Sequence, residues 1–320
     1  LEFSGATAPL PVRLDAKGSL QFEGTVSGSL KSPLVAGQVR ANSAIWGELR
    51  ADALSSTLVA SAERLTLTRF SVTHEGATAT GSGTIGLHDW KVSGGSAIDV
   101  RAEARGLNVG NLRRQAQIEQ PFEGLLNVSG QLEGTVDEPR GELLVDWFRP
   151  SFRDEHLDRL RARLRHGQST LQVDNVEALR GPARLTGSGN YMHGKGDWRN
   201  GTVIAAFQLA GLEMSTLPAV QELRKGATAQ LTASGKVQAR VTDGEAALTS
   251  VDGQSRLGSV SIDNRPYGEL NVTAATRAGD VEVTASGTLR GAPFKASSRW
   301  KRSEEHTSEL QSRGLISYAV

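Results

Sequence analysis

The chain contains no cysteine, so neither a disulfide nor a thiolate metal site holds it together. That absence is compatible with an oxidising compartment without requiring one. Aromatic residues are only 5% of the 320, too few for a core built of large side chains. Neither sign of charge dominates: 36 Lys and Arg stand against 35 Asp and Glu, a formal charge of +1, which removes any global electrostatic argument for nucleic acid. No run approaches the ~20 apolar residues that a membrane-spanning helix needs, and no secretion signal opens the chain. What is abundant is glycine, with 36 residues, together with Thr, Ser and Val and ten prolines. That composition reads as many strands and turns rather than helices. At this length, two or three domains are the prior expectation.

The organising stretch is Phe122 to Val145, FEGLLNVSGQLEGTVDEPRGELLV, because its pattern occurs again before and after it. Leu126, Val128, Leu132 and Val136 alternate with polar residues, as do Leu20, Phe22, Val26 and Leu30 earlier and Leu231, Ala233, Val237, Ala239 and Val241 later. A period of two is the mark of a half-buried strand. Gly28, Gly130 and Gly235 occupy the same face in the three copies, and Pro33, Asp137-Glu138-Pro139 and Asp243-Gly244 break each run where a turn is needed. Gly106-Leu107 and Gly211-Leu212 are 105 residues apart, as are Gly130 and Gly235. The chain is therefore read as tandem repeats: 1–105 without its beginning, 106–210, and a truncated 211–301. Leu1 in place of Met fits a fragment. Arg302–Ser312, RSEEHTSELQS, resembles the translation of a common sequencing-library adapter, so 302–320 reads as a non-native, disordered tail.

Most of each repeat alternates as an antiparallel meander would, and at ~10 residues per strand and turn each holds roughly eight to ten strands. Two segments break the period. GLNVGNLRRQAQIEQ from Gly106 and GLEMSTLPAVQELRKG from Gly211 predict one short helix each, with Pro218 suited to a first turn. Asp154–His166 fits both periods; its place in the repeat favours a strand, with Arg159, Arg161, Arg163 and Arg165 on the face opposite Leu160, Ala162 and Leu164.

Motifs for chemistry are weak. Gly81–Gly86 matches GxGxxG, but no helical period follows it, and its repeat copies make the glycines a strand feature. GNYMHGKG at Gly189–Gly196 lacks the hydroxyl of a phosphate loop and reads as a hairpin. His74, His88, His156, His166 and His193 have no metal spacing and sit beside no nucleophile elbow. The arginine strip reads as a solvated sheet face in preference to a lipid-phosphate or acidic-partner surface. Asn127-Val128-Ser129 and Asn271-Val272-Thr273 match the glycosylation sequon within strand patterns, where chance explains them.

The order of a helix-like Gly-Leu segment, then FEGLLNVSGQLEGTVDEPRGELLV, then a long meander ending GSG, repeated about every hundred residues, resembles the TamB/AsmA-like proteins of bacterial envelopes over essentially residues 1–301. The resemblance implies an elongated all-β sheet of antiparallel meanders curled into an open hydrophobic groove, with short helices between repeats. It also implies an inner-membrane anchor outside this sequence, a periplasmic place in a diderm bacterium, and a non-enzymatic role. That role would be carrying phospholipid or another envelope lipid between the membranes, or assisting assembly with an outer-membrane β-barrel partner. No cofactor, metal or nucleic acid is expected. Leu126, Val128, Leu132, Leu231, Val237, Val281 and Val283, on the apolar face of the clearest strands, are the groove-lining candidates. The rival expectations are a surface-exposed β-repeat adhesin or stalk and a hydrolase of envelope polymers with paired carboxylates.

Overall fold

Alternation becomes sheet wherever it runs long enough for one face to shelter apolar groups. The computed structural model describes residues 16–29, 32–46, 49–115, 120–152, 155–300 and 317–318. Its secondary structure is antiparallel strand with short helices between, as the alternation predicts. The chain divides into two units, one of Leu1–Glu119 with Leu125–Leu143 and one of Gln120–Gly124 with Leu144–Val320.

In the first unit β1 (Ala16–Ser29), β2 (Ser32–Trp46), β3 (Leu49–Ala60), β4 (Arg64–His74), β5 (Ala77–Gly86) and β6 (Ala97–Asn108) pair each with the next. A short helix α1 (Val109–Gln115) leads to β7 (Phe122–Thr135), which returns against β6; β8 (Pro139–Phe152) follows. Among the described residues no ladder joins β1 to β7, so this unit does not close into a barrel.

In the second unit the two-residue β9 (Glu155–His156) pairs with the end of β8, and β10 (Arg159–His166), β11 (Thr170–Arg180), β12 (Ala183–Gly194) and β13 (Asp197–Glu213) again pair in order. A 3-10 turn at Met214–Thr216 and helix α2 (Pro218–Leu223) interrupt, with Pro218 in the first helical turn, where its missing N–H costs nothing. The meander resumes through β14 (Ala227–Thr242), β15 (Glu245–Ile262), β16 (Arg265–Arg277), β17 (Asp280–Leu289) and β18 (Ala292–Trp300). β19 (Ser317–Tyr318) pairs with Ala296 and Ser297; the rest of the adapter-like tail, 302–316 and 319–320, lies outside the described residues, as does Leu30. Like the first unit, this one shows no ladder between its outermost long strands among the described residues.

Two expectations needed correction. The strands run to 18 residues in β15 and 17 in β13, so each repeat contains fewer and longer strands than eight to ten. Length is kept by bulges: the register shifts between Ala104 and Leu107 on β6 and between Leu209 and Leu212 on β13, where Gly106 and Gly211 have φ of 70° and 68°. A bulge bends and twists its strand without ending it, which is how a long strand in a one-layer sheet curls. Val136, assigned to the alternating run, stands in the β7–β8 turn at 42% exposure, its N–H bonded to Ser96 O at 3.0 Å.

Among the described residues the buried apolar side chains are only Ala41, Ala60, Ala178, Ala183 and Ala229, and none falls below 2% exposure. What the fold positions is a face.

Candidate functional site

The face is assembled by register. In antiparallel sheets residues directly opposite share a side, so each ladder carries the alternation of one strand into the next. In the first unit Gly24, Gly37, Leu58, Leu67, Gly83, Val100 and Leu132 lie on one face, joined pair by pair across seven strands. In the second, Val173, Gly189, Ala205, Val237 and Val251 do the same.

All seven groove candidates fall on this apolar face and all are half-buried. Leu126, Val128 and Leu132 oppose Leu107, Ala104 and Val100. Leu231 stands between Leu212 and Leu257, and Val237 between Ala205 and Val251. Val281 lies between Thr276 and Trp300, and Val283 between Ala274 and Ser298. The candidates form local rows within each unit rather than one cluster.

Glycine on this face is a seat for aromatic rings. A Cβ on Gly24 would come 2.6 Å from Phe22 Cζ, one on Gly37 2.8 Å from Phe22 Cε2, and one on Gly81 2.7 Å from Phe70 Cζ. Phe207 leans over Gly235 in the same way, at 3.4 Å. These three phenylalanines thus pack against strand glycines and thicken the apolar layer, a pairing that offsets the weakness of glycine in strands.

The opposite face is polar and charge-paired. The arginine strip falls on β10 as a strand, which settles its ambiguous period. Arg159 Nε donates to Asp146 Oδ1 at 2.6 Å and stacks 4.7 Å over Phe148; Arg165 reaches Asp174 at 3.3 Å, and Arg184 reaches Glu177 at 2.7 Å. The Arg159 guanidinium holds the Asp146 carboxyl below the ordinary carboxylate value, against the opposing effect of burial. These pairs tie β8 to β10, β10 to β11 and β11 to β12. Two hollows of about 750 and 770 Å³ lie in the second unit, lined chiefly by polar-face residues such as Arg184, Thr186, Gln208, Ser234, Gln254 and Thr273. None of the seven candidates lines them. Their Thr, Gln and Ser side chains suit water better than an acyl chain.

Register also gathers residues that sequence spacing did not associate. His166 ends β10 and His193 nears the end of β12; Trp198 of β13 stacks on both, at 5.0 and 4.2 Å between ring centroids, and Tyr191 lies 5.4 Å from His193. Tyr191 Oη donates to Trp198 O at 2.9 Å. His193 is 7% exposed, and its Nδ1 is 2.7 Å from Gly194 O. The cluster closes one end of the apolar face of the second unit with rings instead of aliphatic groups. Alternation along β12 puts Tyr191 and His193 on one face, and only the ladder His166–Leu171–Tyr191 brings His166 to them. Among the described residues no three His, Asp or Glu side chains are grouped to hold a metal ion.

The GxGxxG segment is β5 itself, and GNYMHGKG is the end of β12 and its turn, so neither glycine motif meets a helix N-terminus. Asn127 Oδ1 accepts from Gly106 N at 2.9 Å and serves the β6 bulge. Among the described residues no helix is long and apolar enough to cross a membrane. Compared with known proteins, the chain matches no family model, no curated protein and no solved structure.

Proposed function

We propose that this chain is a non-enzymatic segment of an envelope protein of the TamB/AsmA-like kind, and that its apolar face carries phospholipid acyl chains through the periplasm. One observation carries the reading: among the described residues, valines and leucines of the apolar face that a sandwich would bury stay half-exposed. An uncovered face of this extent is a cost in water unless an apolar occupant covers it. An acyl chain gains ~0.8 kcal/mol for each CH₂ removed from water, so a dozen methylenes supply roughly 10 kcal/mol before the cost of immobilisation. On this reading no residue-specific site is needed. An outer-membrane β-barrel of the assembly type is the protein partner that this reading expects.

The test is mass spectrometry of organic extracts from residues 1–301 purified out of a bacterial envelope, beside the Val128→Asp/Val237→Asp variant. Phospholipid in the parent and none in a folded variant is the expected result. Absence of lipid from both leaves a dry scaffold and moves the stalk reading to first place.

A further inference from the structure

We infer that the polar face of the second unit, across β12 to β16, is a trough for a neutral linear glycan. It lies on the side of the sheet opposite the apolar face, so it stands or falls apart from the lipid reading. The pairing registers set Thr186, Gln208, Ser234, Gln254 and Thr273 directly opposite one another across these five strands. All five line both of the hollows of about 750 and 770 Å³, so the hollows are two sides of one trough and this row is its floor. Four steps of ~4.8 Å make the floor roughly 19 Å long.

The floor carries no charge, while the rows beside it do. It continues through Thr284 and Ser297 without acquiring any. Two residues along the same strands, Lys236 stands opposite Asp252 on one side, and on the other Arg256 hydrogen-bonds Glu269 and Arg184 reaches Glu177 at 2.7 Å. Charge is kept to the rims and paired there, which leaves no field for a polyanion. In the first unit a polar row of Gln21, Arg40, Ser55, Ser71, Thr80 and Glu103 is interrupted by both signs, and the hollow over its start is only about 320 Å³.

Chemistry selects the occupant. Hydroxyl and primary amide side chains each both donate and accept. Among the described residues none of the five spends a side-chain hydrogen bond within the protein, whereas the amides of Gln172 and Gln221 donate to Asp174 and to Ala227 O. A ligand that meets the floor must offer donors and acceptors side by side, with no net charge, and must be linear to follow the row across strands. A chain of sugar rings has those properties. A peptide cannot join here by strand pairing, because each of these five strands is already laddered on both edges.

The full chain is titrated with maltohexaose, cellohexaose and chitohexaose and followed by saturation-transfer NMR. With hydrogen bonds alone on the floor, a Kd on the order of 1 mM is expected for at least one of them. Gln208→Ala/Gln254→Ala is expected to weaken it about tenfold, and Gln238→Ala, on the same face outside both hollows, to leave it unchanged. Circular dichroism checks that both variants fold. Val128→Asp/Val237→Asp, which alters the apolar face, is also expected to leave it unchanged, so the lipid and glycan readings fail separately. Binding of none of the sugars overturns the proposal, as does equal binding by the Gln208→Ala/Gln254→Ala variant. Tighter binding of a sulfated glycan than of its neutral parent overturns it too, and so does displacement of the sugar by an unstructured Ser/Thr/Gln peptide at equal concentration.

Discussion

Gly81 and Gly95 differ only in what surrounds them, and the difference sets opposite outcomes for substitution. A Cβ on Gly81 meets the backbone of Arg101 and the ring of Phe70 at 2.7 Å, while one on Gly95 meets nothing within 4 Å. Gly81→Val is expected to destabilise by about 1–3 kcal/mol in urea unfolding, and Gly95→Ala to stay within ~0.5 kcal/mol of the parent. Asp146 gives a pH prediction. Its carboxyl titrates below the ordinary 3.8 because Arg159 hydrogen-bonds the charged form. A lowered carboxylate pKa contributes stability above the unfolded value and loses it as pH falls through the folded value. Asp146→Asn should therefore lower the melting temperature at neutral pH, and the gap from the parent should close below pH 3.8. At this scale the sequence was only partly readable. Alternation placed Val128 and Val237 on the correct face, but nothing in their spacing joined His166 to His193, because the join depends on a bulge at Asn175, whose φ is 50°.

Hairpins carry the next level of organisation. β14 and β15 are joined by Asp243 and Gly244 with φ of 53° and 87°, the positive pair that lets a two-residue turn follow the right-handed twist of its strands. Gly244→Val forces a β-branched residue into that conformation and is expected to cost about 1–2 kcal/mol, read as a lower denaturation midpoint with an unchanged m-value. Turn chemistry of this kind was visible in the chain, and so were the strands. Their number was not: β15 continues for 18 residues through register shifts at Gln230 and Ala239 of its partner, where a ten-residue rhythm would have ended it. The Arg159–Arg165 run shows the limit from the other side. Its composition satisfies two periods, and only the ladder with β11 decides between them.

For the molecule as a whole, the decisive property is a sheet that buries alanines and leaves its larger aliphatic groups half-covered. A charge placed on such a face keeps access to water. Val128→Asp and Val237→Asp are therefore expected to retain the strand spectrum in circular dichroism and to lose less than about 2 kcal/mol, where a closed core would lose more. The bulges at Gly106 and Gly211 reach furthest beyond the fold. Because side chains alternate, inserting or deleting one residue in a strand turns every later side chain to the other face, and a neighbouring strand cannot absorb the error. Duplicating a whole repeat brings its own bulge, turn and register with it. Genes for sheets of this kind are thus expected to change length by recombination in steps of about a hundred codons, and to purge single-codon indels from their strands while tolerating them in the turns.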